Sequence, residues 1–170
     1  MSKERGLVMT VTASPAIGSA VALKCRECGT RYPLDASYAC YECFGPLEVA
    51  YELGSVTREQ IESGPNSMWR YESLLPVVPG ADARPGLQAG FTKLVRADNL
   101  ARELGVKALW VKDDSGNPTH SFKDRVVAVA LENARRLGFE TIACASTGNL
   151  ANAVAAGCAR GPEVRGFCPV

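Results

Sequence analysis

Apolar and polar positions along this chain follow more than one period, and the changes of period mark its elements. The run at 108–112 is apolar enough for a short buried strand. Beyond it, VVAVALENARRLG places Val127, Ala130, Leu131 and Ala134 at the three- and four-residue spacing of one helix face, ending at Gly138. The segment 140–145, ETIACA, reads as a strand without polar alternation from Ile142 onward, the pattern of a parallel strand covered on both faces. LANAVAAGCAR then forms a helix closed by Gly161, and 164–170 begins another strand. Upstream, 91–95 opens the same fold, and Asp98 is placed to cap a helix through Leu104 that Gly105 terminates. Strands alternating with helices predict an α/β fold built on a parallel sheet.

The first half has a different texture. Residues 1–20 are small and polar and read as a flexible tail. Leu47 to Tyr51, with Thr30 and Tyr32 before it, supplies short strands. Thr57 is a candidate cap for a short helix to Glu62, stopped by Gly64-Pro65. In MWRYESLLPV, Trp69 and Tyr71 are expected to anchor an arm on the main body, and 79–90, rich in Gly, Pro, Ala and Asp, reads as a loop.

Four thiols interrupt this half: Cys25 and Cys28 in CRECG, Cys40 and Cys43 in CYECFG. Two Cys-x-x-Cys pairs are the spacing of two knuckles holding one tetrahedral zinc ion, with Gly29 and Gly45 permitting the backbone that knuckles need. Redox pairs and chance are the competing readings, and two matched pairs weigh against chance. Four thiolates leave no position for water, so the metal's expected role is structural.

Composition narrows the classes. The 170 residues are 46% hydrophobic and 22% charged with a net charge of +1, which gives no bulk-charge reason for a nucleic-acid partner. No run has the length of a membrane span and no signal peptide is legible, so neither membrane nor export is indicated. Seven cysteines in such a chain favour metal binding and free thiols over disulfides, hence a cytoplasmic location. Cys144, Cys158 and Cys168 are read as small core residues.

The chemistry centres on Asn117 to Arg125, NPTHSFKDR, between the strand at 108–112 and the following helix. Ser121 is placed to cap that helix, with Asp124 three residues on in a capping-box variant. Lys123 then lies in the first turn, against the positive end of the helix dipole, which favours the neutral amine that condenses with an aldehyde. A lone lysine at a helix start is ordinarily a solvated charge, and the surrounding string is what changes this. A second loop, Ser146-Thr147-Gly148-Asn149, stands where the next strand meets its helix. Alone it is a common cap; in an open α/β sheet it offers hydroxyls, an amide and N–H groups suited to a carboxylate. His120 flanks the lysine, and packing within the loop is read ahead of a proton relay. Asp113, Asp114 and Arg125 are read as turn and capping charges.

Asn-Pro-x-x-Ser-Phe-Lys-Asp-Arg resembles the cofactor-lysine motif of the fold-type II pyridoxal-phosphate enzymes, and its Ser-Phe-Lys-Asp-Arg form is most similar to the threonine synthases. The cysteine segment followed by Gly-Pro-Leu-Glu-Val is similar to the N-terminal extension of one branch of them. The resemblance implies a tryptophan-synthase-beta-like parallel-sheet fold preceded by a small four-cysteine zinc ribbon. It divides the chain into a tail at 1–20, a ribbon at 21–53, a linker and docking arm at 54–90 and the first part of the catalytic fold at 91–170. It further implies that Lys123 is the catalytic residue and holds the cofactor, that Asn149 hydrogen-bonds the cofactor ring's 3′-oxygen, and that Ser146, Thr147 and Gly148 bind the substrate carboxylate. Cys25, Cys28, Cys40 and Cys43 would bind structural zinc. The implied reaction turns O-phospho-L-homoserine and water into L-threonine and phosphate, the work of a phosphate-releasing carbon–oxygen lyase. Two departures stand out: Thr92-Lys93-Leu94 where the family usually has Thr-Pro-Leu, and Leu150 where many threonine synthases have Thr. A different lyase or synthase of the same fold type (cysteate synthase, threonine dehydratase) and a non-catalytic zinc-ribbon module are the alternative readings. The last strand is cut at Val170, before any Gly-rich phosphate loop, so a fragment inactive by itself is expected; a homodimer is compatible with a full-length form.

Overall fold

The computed structural model describes residues 19–54, 56–77, 88–161 and 164–168. Residues 1–18 of the predicted tail, most of the 79–90 loop and the end of the last strand lie outside them, while Ala20, assigned to that tail, is a buried strand residue.

Strands β1 (Ala20–Cys25), β2 (Arg31–Tyr32) and β3 (Leu47–Tyr51) form an antiparallel sheet in the order β2-β1-β3. Leu23 pairs with both Tyr32 and Val49, and Cys25 with Leu47. Ala20, Ala22 and Cys25 are buried along β1, with a register shift between Ala20 and Ala22. Helix α1 (Arg58–Glu62) has Thr57 as its cap: Gln60 N donates to Thr57 Oγ1, and Gln60 Oε1 accepts from Thr57 N, a complete capping box. The arm is a 3₁₀ segment, Met68–Leu74, whose Trp69 enters the core. Tyr71 does not: it is 43% exposed, because a three-residue turn sends neighbouring side chains to different sides.

Two further ladders follow. β4 (Lys93–Arg96) pairs antiparallel with β5 (Trp110–Asp113), and β6 (Thr141–Ala143) pairs parallel with β7 (Arg165–Phe167). The elements are mixed α and β, and β4–β5 departs from the all-parallel expectation. The connection between them is helix α2 (Asp98–Glu103), six residues long, a length that suits a turn back alongside the same strand rather than a full crossover. Asp98 is the first helical residue rather than the cap, its carboxylate accepting from Arg96 Nε at 2.6 Å. In β6, Ile142 is half-buried between exposed Thr141 and Ala143, so burial alternates where cover on both faces was expected.

Helices α3 (Lys123–Arg136) and α4 (Asn149–Arg160) pack together. Val127, Ala128 and Leu131 of α3 share one core cluster with Ala153 and Val154 of α4, Trp69, Val77, Ala89 and Val164. Ala134 is buried too, as the helix-face pattern predicts, whereas Ala130 is half-buried and turns with Val126, Val129 and Asn133 toward a groove shared with Leu23, Leu34 and Val49 of the ribbon. There Arg136 donates to the Leu34 carbonyl at 2.8 Å. Cys144, Cys158 and Cys168 pack against the cluster, Cys144 Sγ lying 3.4 Å from Cys168 Sγ. Burial pushes the Cys158 thiol up. None of the described helices is long and apolar enough to cross a membrane.

Candidate active site and metal centre

β5 ends at Asp113, and its carboxylate accepts from Ser115 N to cap a 3₁₀ turn, Asp114–Gly116. Asn117 is buried at the next corner. Its side-chain oxygen accepts from Gly90 N at 2.9 Å and its amide nitrogen donates to Asp114 O at 3.1 Å, so this one side chain ties the lysine loop to the chain before β4. Asp124 is fully buried and takes two hydrogen bonds from one residue: Thr119 N at 2.7 Å and Thr119 Oγ1 at 2.6 Å. The capping-box expectation is therefore half right. Ser121 Oγ accepts from Lys123 N at 3.2 Å, but Phe122 is the residue at the helix boundary and Asp124 reaches to Thr119 instead of to Ser121. An Asp is one methylene shorter than the Glu of a capping box, and the nearest donors within its reach lie in the loop.

Lys123 is the first residue of α3, half-buried, with Nζ 4.8 Å from the centre of the Phe122 ring. His120 has φ +59°, the left-handed region, and its exposed ring makes a 2.7 Å hydrogen bond through Nδ1 to the Ser115 carbonyl. Arg125 grips Asp114 with two contacts of 2.7 Å, and Thr92 Oγ1 donates to the same carboxylate at 2.8 Å. Hydrogen bonds from Arg125 and then Thr92 pull the Asp114 carboxyl down to about 2. These charges brace the loop, as a turn-and-cap reading expects.

The second loop follows β6. Ser146 Oγ accepts from Gly148 N at 3.3 Å, which uses one lone pair and leaves its O–H as a donor, and α4 starts at Asn149 without a side-chain cap. The first helical bond of that end is Asn152 N to Gly148 O, which leaves the N–H groups of Asn149, Leu150 and Ala151 as helix-end donors. Thr147, Gly148 and Asn149 are exposed and Ser146 is half-buried. Among the described residues no hydrogen bond joins Lys123 to this loop. What links them is the shared core: Val127 and Ala153 stand one turn beyond Lys123 and Asn149, and both belong to the same cluster. A lysine amine, an uncapped helix end of twelve residues and an exposed amide are a donor set that fits an anionic, aldehyde-bearing cofactor and an amino-acid carboxylate.

The four cysteine sulfurs of the ribbon lie within 4.8 Å of one another, with Cys25–Cys43 and Cys28–Cys40 each at 3.5 Å. Sulfurs at about 2.3 Å from a tetrahedral ion would be separated by about 3.8 Å, so the quartet fits one. Gly29 has φ +79°, as the first knuckle requires. Gly45 is needed for space rather than for its backbone: a Cβ there would lie 3.0 Å from Cys25 Sγ and 3.2 Å from Cys43 Sγ. The left-handed residue of the second knuckle is Phe44, φ +59°. Burial raises the Cys40 thiol, but hydrogen bonds from Tyr32 and from the Cys43 and Glu42 backbone outweigh it and bring it down to about 6. Cys43, lowered by the Gly45 N–H but raised by its thiol neighbours Cys25 and Cys28, is pushed up to about 12. Four clustered thiols cannot all ionise without a cation among them, which is what a divalent ion would supply. The hydroxyls of Tyr32 and Thr30, each 3.1 Å from a sulfur, are the residues that sequence reasoning passed over as strand formers; an aromatic and a Thr just after a Cys-x-x-Cys knuckle was the available signal.

Residues 86–169 match the family described as pyridoxal-phosphate dependent enzyme. A threonine synthase of Methanosarcina acetivorans is 43% identical over 137 residues, 78% of this chain and 33% of that protein. One from Methanocaldococcus jannaschii is 40% identical over 141 residues, 81% of this chain and 35% of that protein. One from Halalkalibacterium halodurans is 44% identical over 95 residues, 53% of this chain and 26% of that protein. The chain thus spans about a third of the length of the first two relatives, and their likeness runs beyond the family match into the first half. Over residues 86–169, just under half of its length, this chain is similar to the pyridoxal-phosphate dependent enzyme family.

Proposed function

We propose that this chain carries the lysine-bearing part of a threonine synthase, preceded by a zinc ribbon. The observation that carries the reading is the pair of helix starts set on one core: Lys123 opening α3 and Asn149 opening an uncapped α4. The division proposed is a ribbon at 21–53, an arm at 54–90 and a catalytic portion at 91–170, in which the parallel β6–β7 pair begins the sheet. Similarity to threonine synthases over about four-fifths of the chain supports the substrate.

Pyridoxal phosphate, when bound, supplies an electron sink for charge developing at the substrate Cα. Lys123 Nζ would hold the cofactor and, once displaced by the substrate amine, move protons between substrate carbons. Asn149 would donate its side-chain amide to the ring 3′-oxygen. Ser146, Thr147 and Gly148 would hold the substrate carboxylate, assisted by the free N–H groups of the α4 start. Asn117 and the Thr119–Asp124 pair keep the lysine loop from drifting, since positioning errors are costly to proton transfer. O-Phospho-L-homoserine and water then give L-threonine and phosphate. Cys25, Cys28, Cys40 and Cys43 would hold zinc as a closed structural site.

The test is phosphate release by the protein expressed from the gene that encodes this segment. With O-phospho-L-homoserine it should exceed release from O-phospho-L-serine, and Lys123→Ala should lower it at least 10³-fold, about the scale of losing a proton-transferring group. Equal turnover by Lys123→Ala contradicts the assignment.

A further inference from the structure

We infer that the Tyr32 hydroxyl is an outer-shell donor to the metal-binding sulfur of Cys40 and sets how tightly the cysteine quartet holds its ion. The inference rests on the metal reading of that quartet and adds a residue outside the four ligands.

Tyr32 closes the two-residue strand β2 and pairs with Leu23. Its ring reaches across the ribbon to the second knuckle, meeting the Tyr41 ring edge-on, with centroids 5.4 Å apart and planes at 83°. Two contacts converge on its hydroxyl oxygen. Tyr41 N donates to it at 3.0 Å, and Cys40 Sγ lies 3.1 Å away. The direction of the second bond follows from the chemistry. A metal-bound cysteine is a thiolate with no hydrogen to give, so the hydroxyl must donate. The Tyr41 N–H entering the same oxygen fixes the hydroxyl's orientation and polarises it toward the sulfur.

The first knuckle has a parallel contact with a different setting. Thr30 Oγ1 lies 3.1 Å from Cys28 Sγ. Cys40 has no exposed surface, whereas Cys28 is exposed. If Thr30 loses its hydroxyl, water can take its place on Cys28. Nothing replaces the Tyr32 hydroxyl on Cys40, because solvent does not reach that sulfur. Cys40 keeps its bonds from the Glu42 and Cys43 backbone, but a buried acceptor that loses one of its donors gets no water in exchange, whereas an exposed one does. The two hydroxyls therefore look alike in distance and should differ sharply in consequence. Outer-shell partners of metal ligands are typically worth 10- to 100-fold in affinity.

The measurement is a zinc titration in competition with a chromogenic chelator, on the whole chain and on Tyr32→Phe, Thr30→Val and Tyr38→Phe. Tyr32→Phe keeps the ring, its edge contact and the strand pairing, and the Tyr41 N–H it strands is at an exposed residue. It should bind one zinc with about 10- to 100-fold weaker affinity. Thr30→Val should lose about threefold or less, water substituting on the exposed sulfur. Tyr38, exposed and without a contact to any sulfur, is the control and should be unchanged. With cobalt in the site, the sulfur-to-metal charge-transfer band of Tyr32→Phe should move to lower energy, as it does when a thiolate loses a hydrogen bond; a merely structural role for the ring would leave it in place. Wild-type affinity and an unshifted band in Tyr32→Phe overturn the inference while leaving the metal site standing. A wild-type chain that takes up no zinc overturns the metal reading itself, and this inference with it.

Discussion

The ribbon and the paired helix starts are built on opposite plans. The ribbon's four sulfurs, the hydroxyls touching them and the glycine that makes room for them all fall between Cys25 and Gly45. Its chemistry is supplied locally and closes on itself, two of its sulfurs being buried. The lysine and asparagine loops are braced from behind and open in front. Asn117 and Asp124 are buried and hydrogen-bonded through both of their polar side-chain atoms, but Thr147, Gly148 and Asn149 are exposed and α4 has no side-chain cap. A centre whose task is to hold a fold saturates its own groups; one whose task is to receive a ligand leaves donors unspent. The difference predicts that the two regions fail independently and for different reasons.

The largest effect should come from stripping the ribbon. Treatment with a strong chelator, or Cys40→Ser, is expected to abolish slow amide exchange across β1, β2 and β3, because metal binding and folding are one event in such small modules. The α3–α4 cluster, which has its own apolar core, should keep its protection. Simultaneous loss of protection in both regions would break the contrast.

Next comes the brace behind Lys123. Asp124→Ala empties a buried carboxylate position and leaves the half-buried Thr119 N–H and hydroxyl without their acceptor, and should destabilise the chain by about 3 kcal/mol in denaturant unfolding. A change below about 1 kcal/mol would mean that the loop is not held as described.

The mildest effect concerns the half-exposed ion pair of Arg125 and Asp114. The carboxyl is held at about 2 in the folded chain against an ordinary 3.8. A depressed folded value means that the contribution is present above about pH 4 and fades as pH falls toward 2. With solvent reaching both partners, about 1 kcal/mol is expected. Unfolding free energy should fall over that window, and Arg125→Ala should flatten this part of the profile. An unchanged acid slope in Arg125→Ala would remove Asp114 from the brace.

How much of this is legible in the sequence also differs between the regions. The cysteine quartet follows from spacing alone, and the strand at Leu47–Tyr51 falls where its pattern puts it. Lys123 opens its helix as the switch from an apolar run to a helical period indicates. Pairing direction is not written in a strand's own residues, so the antiparallel partner of β5 was not foreseen. Likewise Asp98 and Asp124 each suit a cap, but each found a closer donor, Arg96 and Thr119. Tyr71 shares the apolar character of Trp69, and the turn between them sends it outward. The Tyr32–Cys40 contact exists only once the second knuckle folds over β2. Local chemistry is readable from spacing; choices among competing partners are settled by the assembled chain.

The central claim, that Lys123 is the amine set to hold pyridoxal phosphate, is tested most directly by borohydride reduction of the chain incubated with limiting pyridoxal phosphate, followed by peptide mapping. The account predicts the pyridoxyl mark concentrated on Lys123, with Lys3, Lys24, Lys93, Lys107 and Lys112 largely unmarked; a mark spread evenly over the lysines, or absent from Lys123, would contradict it.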